Sequence, residues 1–183
     1  MRRLFFPPLL AVIALFLIFS CAEKQDFNQF DDLEVTPTVA SSIFYLESEE
    51  QHINAVGNFT DFYSQIVNFE AFNEEFVAER LLEGTITYEI ENTTSKDLNI
   101  TIEFLDAEGN VLDAQVFDVD QAPAPLFSLE VFYGPGGKNI EILTTTSGLR
   151  ISASNLGDSA SVSSLPDPKL ILRSAAEFTF RLQ

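Results

Sequence analysis

The chain has one cysteine, one histidine, one methionine and no tryptophan among its 183 residues, and each scarcity closes off a chemistry. A single cysteine forbids an internal disulfide and a cysteine metal cluster. A single histidine, His52, forbids a histidine-pair zinc site, and any serine triad would have to be built on that residue. No G-x-S-x-G elbow accompanies it, and Glu49-Glu50-Gln51 ahead of it reads as a polar loop. Cations are scarce as well, with 10 Lys and Arg against 28 Asp and Glu, for a formal net charge of −18. That balance excludes nucleic acid and electrostatic adsorption to anionic lipid, both of which need clustered Lys and Arg. The acids are spread along the chain, as expected of a solvated surface that keeps a domain soluble.

The first residues carry the clearest pattern. Arg2 and Arg3 are followed by residues 4–19, an apolar run without a single charge, and no acid appears before Glu23. The run is short for a bilayer-spanning helix, which needs about 20 residues, and Pro7 and Pro8 weaken its early part as a helix. Residues 1–20 are therefore expected to be a cleaved secretion signal. Its end, Ile18-Phe19-Ser20-Cys21, resembles the lipobox of bacterial lipoproteins: an aliphatic residue, a variable one, a small one, then cysteine. Phe19 is bulkier than that pattern usually shows, whereas Ile18 and Ser20 fit it. Cys21 then becomes the lipidated first residue of the mature chain. Several acyl chains on one residue, at about 0.8 kcal/mol per buried CH₂, make a stable attachment. Cleavage removes two of the ten cations and none of the acids, taking the net charge from −18 to −20.

Residues 21–32 are polar and acidic, with only Phe27 and Phe30 as bulky apolar groups, and read as a tether. Residues 33–183 are long enough for one domain with a substantial core. Within it, Ile86, Tyr88 and Ile90 alternate with Thr85, Thr87, Glu89 and Glu91, the two-residue period of a strand. Residues 92–97, Asn-Thr-Thr-Ser-Lys-Asp, supply turn chemistry, after which Leu98, Ile100, Ile102 and Phe104 resume the period. Gly109 and Asn110 suit a tight hairpin into residues 111–119. The alternation assigns Ile86, Tyr88, Ile90, Ile100, Ile102 and Phe104 to one buried face.

Residues 39–46, 126–133, 149–153 and 170–182 are further candidate strands. Phe62, Ile66, Phe69, Phe72 and Phe76 fall near helical spacing, and residues 73–82 are rich in helix formers. Leu82, Gly84, Ile86 and Tyr88 nevertheless share a strand phase, so periodicity leaves residues 59–82 open between helix and strand. Residues 139–145 fit either a helical turn or a strand. The expected fold is all-β, an immunoglobulin-like antiparallel sandwich with at most one or two short helices.

Several patterns suggest chemistry without completing it. Gly134-Pro135-Gly136-Gly137-Lys138 lacks the spacing of a phosphate loop, and Asn139 stands where Ser or Thr is required, so it reads as a flexible connection. Asp106, Glu108, Asn110 and Asp113 are spaced as in a calcium loop, but Gly109 is misplaced for that pattern and a hairpin explains the residues. No metal and no cofactor is expected. Asn58-Phe59-Thr60, Asn92-Thr93-Thr94 and Asn99-Ile100-Thr101 match the N-glycosylation acceptor, which has meaning mainly on a eukaryotic secretory route. Asp158-Ser159-Ala160 resembles the Asp-Ser/Thr-aliphatic acceptor for O-glycosylation of exported Bacteroidota proteins, making Ser159 a candidate modification site.

The lipobox, the acidic tether and a Phe-rich sandwich containing a run like residues 84–113 together resemble outer-membrane lipoproteins of the Bacteroidota type. That resemblance implies an outer-membrane location, facing the periplasm or the exterior, and adds no reaction. The expected function is a non-enzymatic binding or structural module of the envelope. It would be held to the membrane through Cys21 and engage an envelope protein or glycan. The alternative is an envelope polysaccharide hydrolase with paired carboxylates, for which abundant acids are the only support.

Overall fold

Alternation of apolar and polar side chains is carried into eight strands in the computed structural model, which describes residues 34–56, 61–69 and 74–182. In chain order they are β1 (Thr38–Glu49), β2 (Asp61–Asn68), β3 (Leu81–Asn92), β4 (Leu98–Leu105), β5 (Val111–Val119), β6 (Phe127–Tyr133), β7 (Gly148–Asn155) and β8 (Lys169–Phe180). Among the described residues there are three short helices: α1 (Glu50–Val56), α2 (Glu75–Ala78) and α3 (Glu141–Thr145). The compact unit they build runs over Glu34–Gln183. No helix among the described residues is long and apolar enough to cross a membrane.

The strands form two antiparallel four-stranded sheets, ordered β1-β8-β3-β6 and β2-β7-β4-β5. The all-β sandwich is the one expected. Its strand order is that of an eight-stranded jelly roll rather than the seven- or nine-stranded immunoglobulin arrangement. Local alternation reports which face of a strand is buried and is silent on which distant strand lies beside it. The first and last strands are neighbours here, from Thr38↔Thr179 to Glu49↔Lys169.

The six residues assigned to a buried face all lie in the core, each at most 1% exposed. They come from opposite layers, because residues 93–97 carry the chain from the sheet of β3 to that of β4. Ile86, Tyr88 and Ile90 therefore face Ile100, Ile102 and Phe104 across the sandwich. Each such side chain contributes about 1.5–3 kcal/mol by burial. Aromatic pairs tie the layers further: Tyr88 meets Phe117 of β5 at 5.5 Å between centroids, and Phe104 meets Tyr133 of β6 at 6.0 Å. The β4–β5 hairpin closes through Gly109, whose φ of 86° needs a residue without Cβ; Asn110 keeps an ordinary backbone.

Of residues 59–82, which periodicity left open, 59, 60 and 70–73 lie outside the described residues. Asp61–Asn68 is the strand β2, α2 is a single turn before β3 begins at Leu81, and α3 lies within residues 139–145. β2 escapes detection because it is an edge strand whose Ile66 points to solvent, blurring its two-residue period. Gly84 in β3 pairs with Phe178, and a Cβ there would approach the Phe178 ring to 2.5 Å, with Leu143 behind it at 3.3 Å. Gly84→Val is expected to cost about 1–3 kcal/mol through overpacking, read as a lowered denaturation midpoint.

Candidate functional site: the loop pole

Antiparallel pairing sends four connections to one pole of the sandwich: the β1–β2 connection carrying α1, residues 93–97, residues 120–126 and residues 156–168. Chain entry at Glu34 and the end of β8 lie at the other pole. There Arg181 Nε donates to Glu34 at 2.7 Å, and Val35 pairs with Leu182. The twelve residues of β1 separate the poles by about 40 Å.

At the loop pole the centre is a buried lysine. The Lys96 side chain is 0% exposed, and its Nζ donates to Asp158 Oδ1 at 3.0 Å, the Ser161 carbonyl at 2.8 Å and Ser161 Oγ at 2.6 Å. All three ammonium protons thus have acceptors, the condition under which a charge can be buried. Glu50, the buried first residue of α1, works the other way: Oε1 accepts from the Ser95 N–H at 2.6 Å and Ser95 Oγ at 2.7 Å, and Oε2 from the Ser163 N–H at 2.9 Å. Asn92 joins the fourth connection, donating to the carbonyls of Lys96 at 2.8 Å and Asp120 at 2.9 Å while accepting from Thr94. One network therefore locks all four connections.

Two carboxylates are tuned by this network. Burial pushes the Glu50 carboxyl up, but the Ser95 and Ser163 N–H groups, the Ser95 hydroxyl and nearby Lys96 outweigh it, holding the group below its ordinary value. Asp158 lies far below the usual carboxylate range, chiefly through the Ser161 N–H, then Lys96 and the Ala160 N–H. Above this polar layer the loops present apolar side chains to solvent: Val162, 72% exposed, with Val56, Leu126, Leu156 and Leu165. Rigid loops carrying exposed apolar groups suit partner binding.

The candidate residues from the sequence are distributed unevenly over this arrangement. Cys21 lies outside the described residues, as does Asn58. Ser159 is exposed in the β7–β8 loop, one residue beyond the Asp158 carboxylate that pins that loop. Asn92 is buried and committed to the network, and Asn99 donates to Asp118 at 2.8 Å. His52 sits exposed on α1, and the stretch expected to be a polar loop is instead the end of β1 at Glu49 and the start of α1 at Glu50 and Gln51, with the Glu50 carboxylate buried.

The calcium-like set does not act together. Asp106 caps its own turn through the Glu108 and Asn110 N–H groups, at 3.0 and 2.8 Å. Asp113 instead accepts from Lys138 Nζ at 2.6 and 2.9 Å, from Tyr133 Oη at 3.2 Å and from Gln115 at 3.0 Å. No group of three or more His, Cys, Asp or Glu suited to a metal occurs among the described residues. The Gly134–Lys138 stretch, expected as a flexible connection, is a hydrogen-bonded turn that delivers Lys138 to Asp113. Tyr88 and Tyr133 beneath have their phenols pushed up by burial first and by Asp113 among the further causes.

Sequence reasoning missed Glu50 and Lys96. Residues 92–97 carry ordinary turn chemistry, and nothing local marks Lys96 for burial. Its acceptors arrive from a loop more than 60 residues later.

Fold and pole together define an eight-stranded jelly-roll module closed by four interlocked loops. No protein-family model matches the chain, and no curated protein sequence does. Among solved structures it is similar to VP2 of infectious bursal disease virus at 9% identity and a TM-score of 0.34, covering 83% of this chain and 33% of that one. The chain thus spans about a third of that protein's length. It is also similar to a protein of the Bacillus endospore appendages, described as disulfide-linked pili, at 10% identity and a TM-score of 0.36, covering 79% and 90% of the two chains. The turnip yellow mosaic virus structure is similar at 11% identity and a TM-score of 0.37, covering 81% and 93%.

Proposed function

We propose that the chain is a lipoprotein of the bacterial outer membrane, held by acyl chains on Cys21. Its jelly-roll domain is a non-enzymatic envelope module that engages a protein or glycan partner through the loop pole. The observation that carries this reading is the polarity of the domain. The chain enters at Glu34, beside the end of β8, while the four loops locked by Lys96 and Glu50 lie at the opposite end of strands about 40 Å long. The loop pole is thus the end of the domain remote from its covalent link to the anchored residues, and is proposed as the end that meets a partner. A covalent anchor also accounts for membrane attachment by a chain at −20 after cleavage, which no basic patch could provide. Ser159, exposed on one of these loops, is the proposed glycan acceptor, so the pole would carry modification as well as recognition.

Metabolic labelling with a fatty-acid analogue in a bacterial host tests the anchor. The parent chain is expected to take up label and Cys21→Ser to take up none. Labelling of the variant, or none of the parent, would contradict the reading.

A further inference from the structure

Edge strands are templates for pairing with another chain unless something interrupts them. Four strands lie at sheet edges here: β1, β6, β2 and β5. Pairing breaks register at Ser42/Phe44 in β1, at Asp61/Tyr63 in β2, and where β5 meets Phe104/Leu105 of β4. β6 alone pairs without a shift, from Gly84↔Tyr133 to Ile90↔Phe127. It carries one charge, Glu130, and neither lysine nor proline. Its core-facing Phe127 and Leu129 are 40% and 36% exposed, although the residues they pair with, Ile90 and Tyr88, are fully buried. The core is therefore open along this edge.

Backbone geometry defines what the edge offers. Lys138 bonds the far end of β6 from outside, its N–H to the Phe132 carbonyl and its carbonyl to the Gly134 N–H, both at 2.9 Å. Strand alternation then turns the N–H and C=O of Ser128 and Glu130 away from β3, while those of Phe127, Leu129 and Val131 face it. We propose that β6 docks a second copy of this chain, pairing antiparallel with its own counterpart about a two-fold axis at Leu129.

Charge and chain chemistry select that register. An axis at Glu130 would set two carboxylates directly opposite each other, which is destabilising. An axis at Ser128 would set Glu130 opposite Leu126, which precedes the strand and offers the carboxylate no donor side chain. With the axis at Leu129, each Glu130 faces a Ser128 hydroxyl, Phe127 faces Val131, and Ser128 exchanges both backbone hydrogen bonds with Glu130 of the other copy. Leu129 meets Leu129, which together with Phe127 closes the open edge. Such an interface is self-complementary, as two-fold symmetry demands. It is independent of the Cys21 anchor and of the loop pole. Because each chain is strongly acidic, at −20 once cleaved, added sodium chloride should strengthen the pairing by screening, whereas a cationic partner on this edge would be weakened by salt.

The Leu129 pair is a non-hydrogen-bonded one, with Cα atoms about 4.5 Å apart, within the about 4.4–6.8 Å that a disulfide spans. The test uses the intact chain in mild detergent under a gentle oxidant. Leu129→Cys is expected to form covalent dimers about tenfold faster than Ile66→Cys on the exposed edge β2, corresponding to about 1.4 kcal/mol of preference. The parent chain reports any linkage through Cys21. Sedimentation of the parent chain should show a dimer that grows with salt. Glu130→Pro should abolish it while leaving the melting temperature at dilutions where the parent is monomeric unchanged, because the N–H it removes faces away from β3. Three results would overturn the proposal: a monomer at every concentration, equal linkage at positions 129 and 66, or a dimer that survives Glu130→Pro.

Discussion

Ile102→Asp is expected to leave the chain without a stable fold, whereas Thr101→Asp, one residue away, changes stability by about 1 kcal/mol or less. Ile102 is 0% exposed at the centre of β4, paired with Gln115 on one side and Ile151 on the other. An aspartate there has no cation to meet, and burying it unpaired costs several kcal/mol on top of the about 2–5 kcal/mol lost with the Ile102 side chain, together comparable with the about 5–15 kcal/mol that such a domain has in total. Thr101 faces outward, where it pairs with Val116 and Ser152, so a carboxylate at that position stays in water. Circular dichroism and thermal melting of the two variants decide the matter. Equal melting temperatures would refute the register of β4 and with it the facing layers of the core.

The second large effect is expected at Lys96. Lys96→Met keeps the length of the side chain and removes the fully buried ammonium, leaving the part-buried Ser161 carbonyl and hydroxyl without this donor. The expected loss is about 2–3 kcal/mol, measured by denaturant unfolding at neutral pH. Its pH dependence follows from the carboxylates. Glu50 and Asp158 are held below their ordinary values, so their contribution is fully present above the unfolded value of about 4 and is lost as pH falls through the lower folded values. The gap between parent and variant should therefore narrow in acid, where Asp158 no longer offers a charge. A gap that widens as pH falls below about 4 would show that the lysine acts through something other than these carboxylates.

What the sequence made legible follows from where each piece of information resides. β3, β4 and β5 could be read because the two faces of each strand see such different surroundings that alternation is written into neighbouring residues. Ile86, Tyr88, Ile90, Ile100, Ile102 and Phe104 were all assigned correctly to the core. Their division between two facing sheets was not readable, since residues 92–97 look the same whether they turn within a sheet or cross between sheets. Pairing of β1 with β8 joins residues more than a hundred positions apart, which no local pattern records. Glu50 and Lys96 were invisible for the same reason. A buried charge is marked by its partners, and here those partners are Ser95, Asp158, Ser161 and Ser163 from loops that meet only in the fold. Ser159 and Cys21 stand on motif chemistry, which sequence displays directly.

The central claim is that the pole far from the chain entry is where a partner is met. A photo-crosslinking amino acid placed at Val162, on the β7–β8 loop, or at Val35, beside the chain entry, tests it in the native envelope. Both positions are exposed, so access does not favour either. The account predicts a discrete protein or glycan adduct at position 162 that is absent at position 35. Adducts of equal yield at both positions, or a discrete adduct at position 35 alone, would contradict it.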